Sequence, residues 1–489
     1  MSRITRRRFL STTAATGAAM ILASTSRRAL GANDDLRVAV VGCGGRGSSH
    51  IGAFSKIEGA RLVAVCDADE SHLNKAVQQG EKAQKGQKVK PYKDVRKLLE
   101  DKEIDAIATA TPNHWHSLVT VWACQAGKDV YVEKPISHEI WEGRKCIEAM
   151  KKYNRVVQHG TQRRSDHLWY EAFDFIRQGN LGPVQWVKGF CYKPRPSIGK
   201  VPAPTPIPAG VDYDLWCGPA PMDPLMRKNL HYDWHWVWPT GNGDIGNQGV
   251  HEMDLSRWAV GNNSLPERVL GIGGRFIVDD DATTPNTLIV YYDYKPVPFI
   301  FEVRGLPSHG GDPNKAPMDA YGKIIRIGNW VQCEGGYFAA GEGGGWAYDK
   351  DGKKIRQFKQ QLGGQGHQQT FVKACKSRDP KDNPCNAEVA HFSAACCHLG
   401  NISYRTGAEK SAAEITESIK SNSQMAEAFD RMKDHLGKNG FNLDKDKITL
   451  GANLTIDPGA ERFTGDHAEA ANKLLKRDYR KPYEIPESV

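Results

Sequence analysis

Short apolar runs alternate with longer amphipathic segments through the first third of the chain, and the spacing predicts strands joined by helices. The first run, LRVAVV at 36–41, leads into Gly42-Cys43-Gly44-Gly45-Arg46-Gly47 and then into SSHIGAFSKI, which reads as a helix. A second run, RLVAVCD, ends at Asp67, twenty residues beyond Gly47. Helical patterns follow near SHLNKAVQQGEKAQ, YKDVRKLLED and HWHSLVTVWACQAG, and strand-like runs are IDAIATA and KDVYVEKP. Strands and helices alternating over short links imply an α/β unit with a doubly wound parallel sheet, extending to about residue 160.

That context gives the glycine motif its meaning. A G-x-G-x-x-G between a strand and a helix, with an acid about 20 residues on, is the arrangement that binds a dinucleotide. Gly42 permits the tight turn, Gly44 with its neighbour Gly45 lets the backbone approach a pyrophosphate, and Gly47 allows close helix-to-strand packing, while Arg46 can reach phosphate. Asp67 would accept hydrogen bonds from a free ribose 2'-hydroxyl and repel a 2'-phosphate, which favours NAD over NADP. Ligands of such sheets lie beyond the carboxyl ends of the strands. Two further segments fall at such ends: Thr111-Pro112-Asn113 with His116, and Glu133-Lys134-Pro135.

With VGCGGRG, AVCDAD, TPNHWH, AGKDVYVEKP, GDIGNQGVHEMDLSRW and AEVAHFSAACCHLGNISYRTG in place, most of the chain resembles the glucose-fructose oxidoreductase, inositol dehydrogenase and rhizopine-catabolism (Gfo/Idh/MocA) family. The resemblance implies a second domain around a large, mainly antiparallel sheet that supports the substrate site and often an oligomer contact, here of a homodimer or homotetramer. It also implies that Lys134 is the catalytic lysine, that the bond before Pro135 is often cis, and that His251 is the catalytic histidine. Asn247 stands where polyol dehydrogenases commonly have aspartate. Hydride removal from a secondary alcohol needs a base for the hydroxyl proton and a cation to steady the developing alkoxide, roles suited to a histidine and a lysine. Asn247 and His251 would share one helical face at i and i+4.

On the substrate side, Trp234-His235-Trp236-Val237-Trp238 would, if extended, set the tryptophans on one side and His235 on the other. Trp234, Trp236, His235, Arg163, Tyr192 and Asp254 are the candidate substrate contacts. No His, Cys and Asp set has metal-ligand spacing, so no metal is predicted. The 11 cysteines show no C-x-x-C pair and read as buried thiols. The division expected is a leader at 1–32, a dinucleotide-binding domain at 33–160, a substrate and oligomerisation domain at 161–408, and an extension at 409–489 packing on the main body.

Charge changes this picture only at one end. The formal +9 invites a nucleic-acid reading, but six of the arginines, at 3, 6, 7, 8, 27 and 28, lie in a leader without acids, and the remaining basic residues nearly balance the acidic ones. No nucleic-acid partner is therefore expected. Thr5-Arg6-Arg7 with Phe9 and Leu10, before an uncharged run to Ser26, resembles a twin-arginine signal, read by the twin-arginine export machinery and leading to the periplasm. The same run read as an uncleaved segment would be a membrane anchor. These features together predict an exported NAD-dependent oxidoreductase acting on a sugar, sugar derivative or cyclitol, with the nicotinamide tightly bound. Its rival is an NAD-dependent, redox-neutral glycoside hydrolase or lyase that oxidises, eliminates and re-reduces. A sugar sensor without turnover is disfavoured by the presence of both Lys134 and His251.

Overall fold

A computed structural model describes residues 35–489 apart from positions 262, 308–325, 342 and 362–365. The expected leader at 1–32 lies outside the described residues. Apolar runs at the start of the chain form six strands: β1 (Leu36–Val41), β2 (Ala60–Cys66), β3 (Lys90–Tyr92), β4 (Ala106–Thr109), β5 (Asp129–Val132) and β6 (Val157–His159). They pair in parallel in the order β3-β2-β1-β4-β5-β6. All residues of β1, β4, β5 and β6 are buried, as a sheet covered by helices on both faces requires. The order reverses between β1 and β4, and that is where such a sheet opens a crevice beyond its strand ends.

Among the described residues the second sheet has 12 strands. Along the chain they are β7 (Val184–Tyr192), β8 (Arg268–Gly274), β9 (Thr287–Tyr292), β10 (Phe299–Arg304), β11 (Ile327–Cys333), β12 (Gly336–Gly341), β13 (Gly344–Asp349), β14 (Lys354–Phe358), β15 (Ala408–Lys410), β16 (Ile448–Leu450), β17 (Leu454–Asp457) and β18 (Arg462–Thr464). Its order is β14-β13-β12-β11-β7-β10-β9-β8-β16-β15, with β17 against β8 and β18. Pairing is antiparallel except between β7 and β10. Alternate side chains sort to two faces. Phe299 and Phe301 pack with Val250, Met253 and Cys396 from helices Gly249–Val260 and Ala387–Arg405. Ile300, between them, faces Met425, Phe429 and Met432 of helix Ser423–Lys438 on the other side.

Residues after 408 divide between the two sheets. Strands β16 and β17 pair with β8, whereas Tyr483, Ile485 and Val489 join the core beneath helix Asn113–Gln125. The 11 cysteines are buried and free. Among the described residues no helix is long and apolar enough to cross a membrane.

Candidate active site

A cleft of about 380 Å³ opens where the sheet order reverses. Its floor is the glycine turn. Gly42 has φ +81° and lies so close to Ala110 and Thr111 that an added Cβ would meet the Thr111 nitrogen at 2.7 Å, while a Cβ on Gly47 would meet the Gly42 oxygen at 1.8 Å. Gly44 and Gly45 have no atom within 4 Å of an added Cβ and both line the cleft. Helix Gly45–Phe54 begins there with neither a side-chain cap nor an acid in its first turn. Its first amides are therefore free for an anion. Asp67, at the end of β2, accepts from the amides of Cys43 at 2.6 Å and Asp69 at 2.8 Å, which leaves carboxylate lone pairs for a ribose diol. Burial raises its carboxyl above the usual range, against the pull of those two amides. Open glycines, uncapped amides and this acid fit a dinucleotide.

Except for Gly47, the predicted cofactor residues line this cleft: Gly42, Gly44, Gly45, Arg46, Asp67, Thr111, Pro112, Asn113, His116, Glu133 and Lys134. Gly47 serves the turn instead. Two of the others also bolt the structure together. His116 places its ring nitrogens at the carbonyls of Thr111, 2.8 Å, and Pro135, 2.6 Å, joining the ends of β4 and β5. Asn113 donates to Asn242 Oδ1 at 3.0 Å and so ties the cleft to the second domain.

Glu133 and Lys134 leave β5 in opposite environments. The Glu133 carboxylate is buried against His50 at 3.1 Å, Arg46 at 3.3 Å and Gln162 at 3.3 Å. Burial alone would raise it, but His50, Arg46 and Lys134 outweigh burial and hold it well below the usual carboxylate range. Gly160 makes room for it, since a Cβ there would come within 2.9 Å of the carboxyl group. Lys134 precedes a cis bond to Pro135. Its Nζ donates to the Asn247 carbonyl at 2.7 Å and to Asn247 Oδ1 at 3.1 Å. Burial pushes the ammonium down to about 8, with Glu133 opposing.

Asn247 ends the short helix Gly243–Asn247, and His251 lies in the first turn of the next helix. The helix is interrupted at Gln248, so the expected single face is split into two short pieces. Neither side chain is on the cleft wall; Asn247 meets it through Lys134. Burial first, and then the charge of Lys134, hold the His251 imidazole well below the usual histidine range, so it is neutral and able to accept a proton.

On the substrate side, Trp234 and His235 line the cleft. The segment is a 3-10 turn, Asp233–Trp236, rather than an extended strand, and the His235 ring stacks on Trp234 at 3.6 Å instead of opposing it. His235 Nδ1 donates to the Tyr232 carbonyl at 2.6 Å, which leaves Nε2 as an acceptor. Burial pushes this imidazole down to about 3. Four expected contacts are used otherwise. Trp236 is buried beneath the Arg195 guanidinium, 5.2 Å from its ring centre. Tyr192 is buried and donates to Glu302 at 2.9 Å. Asp254 is buried, paired with Arg164 at 2.7 Å and accepting from Ser393 at 2.8 Å. Arg163 stands 3.5 Å from Glu252. In each case a side chain that sequence offers to a substrate is engaged by the protein itself.

The sequence reading did not single out part of the wall. The excursion between β7 and β8 contributes Leu215, Trp216, His231 and Tyr232, which lie over the cleft opposite His72, Lys93 and Asp94 of the first domain. His231 reaches Asp69 at 2.9 Å across 162 residues of chain, a separation at which no local spacing gives a signal.

Residues 36–161 match the oxidoreductase-family model described as an NAD-binding Rossmann fold, and residues 181–291 match that family's C-terminal alpha/beta domain. A curated relative, the myo-inositol 2-dehydrogenase of Thermotoga maritima, is 27% identical over 263 residues, 53% of this chain and 65% of its own length. Glycosyl hydrolase family 109 protein 2 of Shewanella sp. (strain ANA-3) is 29% identical over 208 residues, 38% of this chain and 45% of its own. The matches thus span less than two thirds of either relative. Among solved structures, the WlbA dehydrogenase of Bordetella pertussis, in complex with NADH and UDP-GlcNAcA, has a TM-score of 0.55 at 19% identity, covering 76% of this chain and 97% of that one. With the reversal between β1 and β4 and the large second sheet, these matches show that residues 36–161 and 181–291 are similar to the two domains of the Gfo/Idh/MocA oxidoreductase family.

Proposed function

We propose that this protein is an exported, NAD-dependent oxidoreductase that transfers hydride between a hydroxyl-bearing carbon of a sugar, sugar derivative or cyclitol and a tightly held nicotinamide. The observation that carries the reading is Lys134: a part-buried ammonium at the carboxyl end of β5, held by Asn247, in the same cleft as the glycine turn and His235. NAD, when bound, supplies the hydride acceptor. The glycine turn and the first amides of helix Gly45–Phe54 hold its phosphates, and Asp67 its ribose hydroxyls. The family resemblance assigns the substrate's hydroxyl proton to His251, which is neutral but stands off the cleft wall, so this role rests on the resemblance. The Lys134 ammonium donates to the oxygen on which negative charge builds, and Asn247 fixes the direction of that donation. Trp234 and His235 offer an apolar face and one acceptor to a polyhydroxylated ring.

Lys134→Ala should lower kcat by roughly 100- to 1000-fold, and His251→Ala by roughly 100- to 10,000-fold, both with the nucleotide still bound; full activity in either variant refutes its role. A second reading, redox-neutral glycoside cleavage, is favoured by curated relatives named glycosyl hydrolase family 109 proteins. Product analysis separates the two. Oxidised sugar with intact bonds supports the dehydrogenase, and cleaved glycoside without net NADH supports the rival. We rank the dehydrogenase first because the family resemblance implies that glycoside-cleaving members often depart from the Glu-Lys-Pro sequence that this chain has at 133–135. Export rests on the leader sequence, and a homodimer or homotetramer on the resemblance.

A further inference from the structure

At the Asp67 end of the cleft three metal-ligating side chains meet. Asp69, His72 and His231 each present one ligand atom, and these atoms lie within 4.8 Å of one another. Asp69 is fixed, because it caps helix Glu70–Ala83: its Oδ1 accepts from the amides of Ser71 at 2.7 Å and His72 at 3.3 Å. That bond pattern leaves Oδ2 facing the two imidazoles, 2.9 Å from His231 Nε2 and 3.9 Å from His72 Nδ1. The rings stand 4.4 Å apart, tilted by 48°. Both are part-exposed, at 27% and 31%, and so have room to turn.

We propose that Asp69, His72 and His231 bind a zinc-type divalent cation that ties the excursion between β7 and β8 to the dinucleotide-binding domain. Two imidazoles and one carboxylate are a ligand set that suits zinc, with water completing the fourth position. Bonds of about 2.0 to 2.1 Å put tetrahedral ligands roughly 3.3 Å apart, between the two oxygen-to-nitrogen separations seen here. Small rotations of the two rings complete the geometry. The backbone already sets the two segments side by side, since Glu70 donates to the Gly210 carbonyl at 3.0 Å and Asp212 to that of Ala68 at 2.9 Å. A bound cation replaces one hydrogen bond, His231 to Asp69, by three bonds converging from both segments. It holds the excursion shut over the cleft at the end where Asp67 awaits a ribose, and slows escape of whatever lies beneath.

The site stands independently of the redox reading, because it is measured without nucleotide or sugar. The full chain, stripped with a chelator and dialysed, is titrated with zinc chloride alone by calorimetry, beside His231→Gln and His72→Ala. Wild type should take up one zinc per chain and unfold at a higher temperature with it. Each variant should bind more than roughly 100-fold more weakly and lose the zinc-dependent rise, while its circular dichroism without metal matches wild type. If His72→Ala fails to fold, His231→Gln, on the excursion, decides alone. No uptake by wild type, or one zinc per chain with unchanged affinity in the folded variants, overturns the proposal.

Discussion

In the proposed reaction Lys134 and His251 have opposite tasks, and their protonation sets the expected pH profile. Lys134 would act as the ammonium, the form that dominates below its value of about 8 and fades above it. His251 would act neutral, the form that burial, and then the charge of Lys134, favour by lowering its imidazole well below the usual histidine range. Hence kcat/KM should fall as pH rises through about 8, with no loss near 6.5 from His251. Asn247→Asp puts a carboxylate where Oδ1 now meets Nζ, favouring the ammonium, and should move the fall upward by about one unit or more. A steady-state pH profile of the two proteins checks this; an unmoved limb would remove Lys134 from the assignment. The glycines separate fold from binding in the same way. Gly47→Ala forces a Cβ onto the Gly42 oxygen and should cost at least about 3 kcal/mol. Gly44→Ala meets no protein atom, so it should leave the melting temperature unchanged while weakening NAD binding, as thermal melts and nucleotide titration would register.

Among elements, legibility followed the range of the interactions. Strands β1, β2, β4 and β5 could be read from the sequence because each is a continuous apolar run bounded by turn residues, and their glycine turn and acid come within one βαβ unit. The short edge strands β3 and β6 could not, since a run of three residues carries no period. The second sheet was legible only through family resemblance: β7 pairs with β10 and β11, more than 100 residues away, and antiparallel pairing at that distance leaves no local mark. The same holds for Tyr192 and Asp254, whose partners Glu302 and Ser393 are equally remote, and for the Trp234 turn, where the aromatic alternation of a strand is also the sequence of a 3-10 turn. The end of the chain makes a test at this scale. Tyr483 is buried, donates to Asp214 at 2.6 Å, and packs edge-on to Trp115 at 5.5 Å. It joins the first domain to the excursion that roofs the cleft. Tyr483→Ala should therefore destabilise by about 3 to 5 kcal/mol, read from denaturant unfolding.

At the scale of the molecule, the basic excess that first suggests nucleic acid concentrates in the first 32 residues, and the remainder is nearly neutral. The proposed export as a folded unit is compatible with 11 free buried cysteines and would require the cofactor to be loaded before transport and regenerated within the site. Replacing Arg6 and Arg7 together by lysine should leave the precursor inside the cell, detected by fractionation; export at the wild-type level would remove the twin-arginine reading. The central claim is hydride transfer at Lys134, and rapid mixing tests it most directly. Purified protein carrying its nucleotide is mixed with a panel of sugars and cyclitols while nicotinamide absorbance is followed, beside Lys134→Ala with nucleotide bound. The account predicts reduced nicotinamide with at least one sugar in wild type and none in the variant. Protein that binds no nucleotide, or a variant that reduces it as fast as wild type, would contradict it.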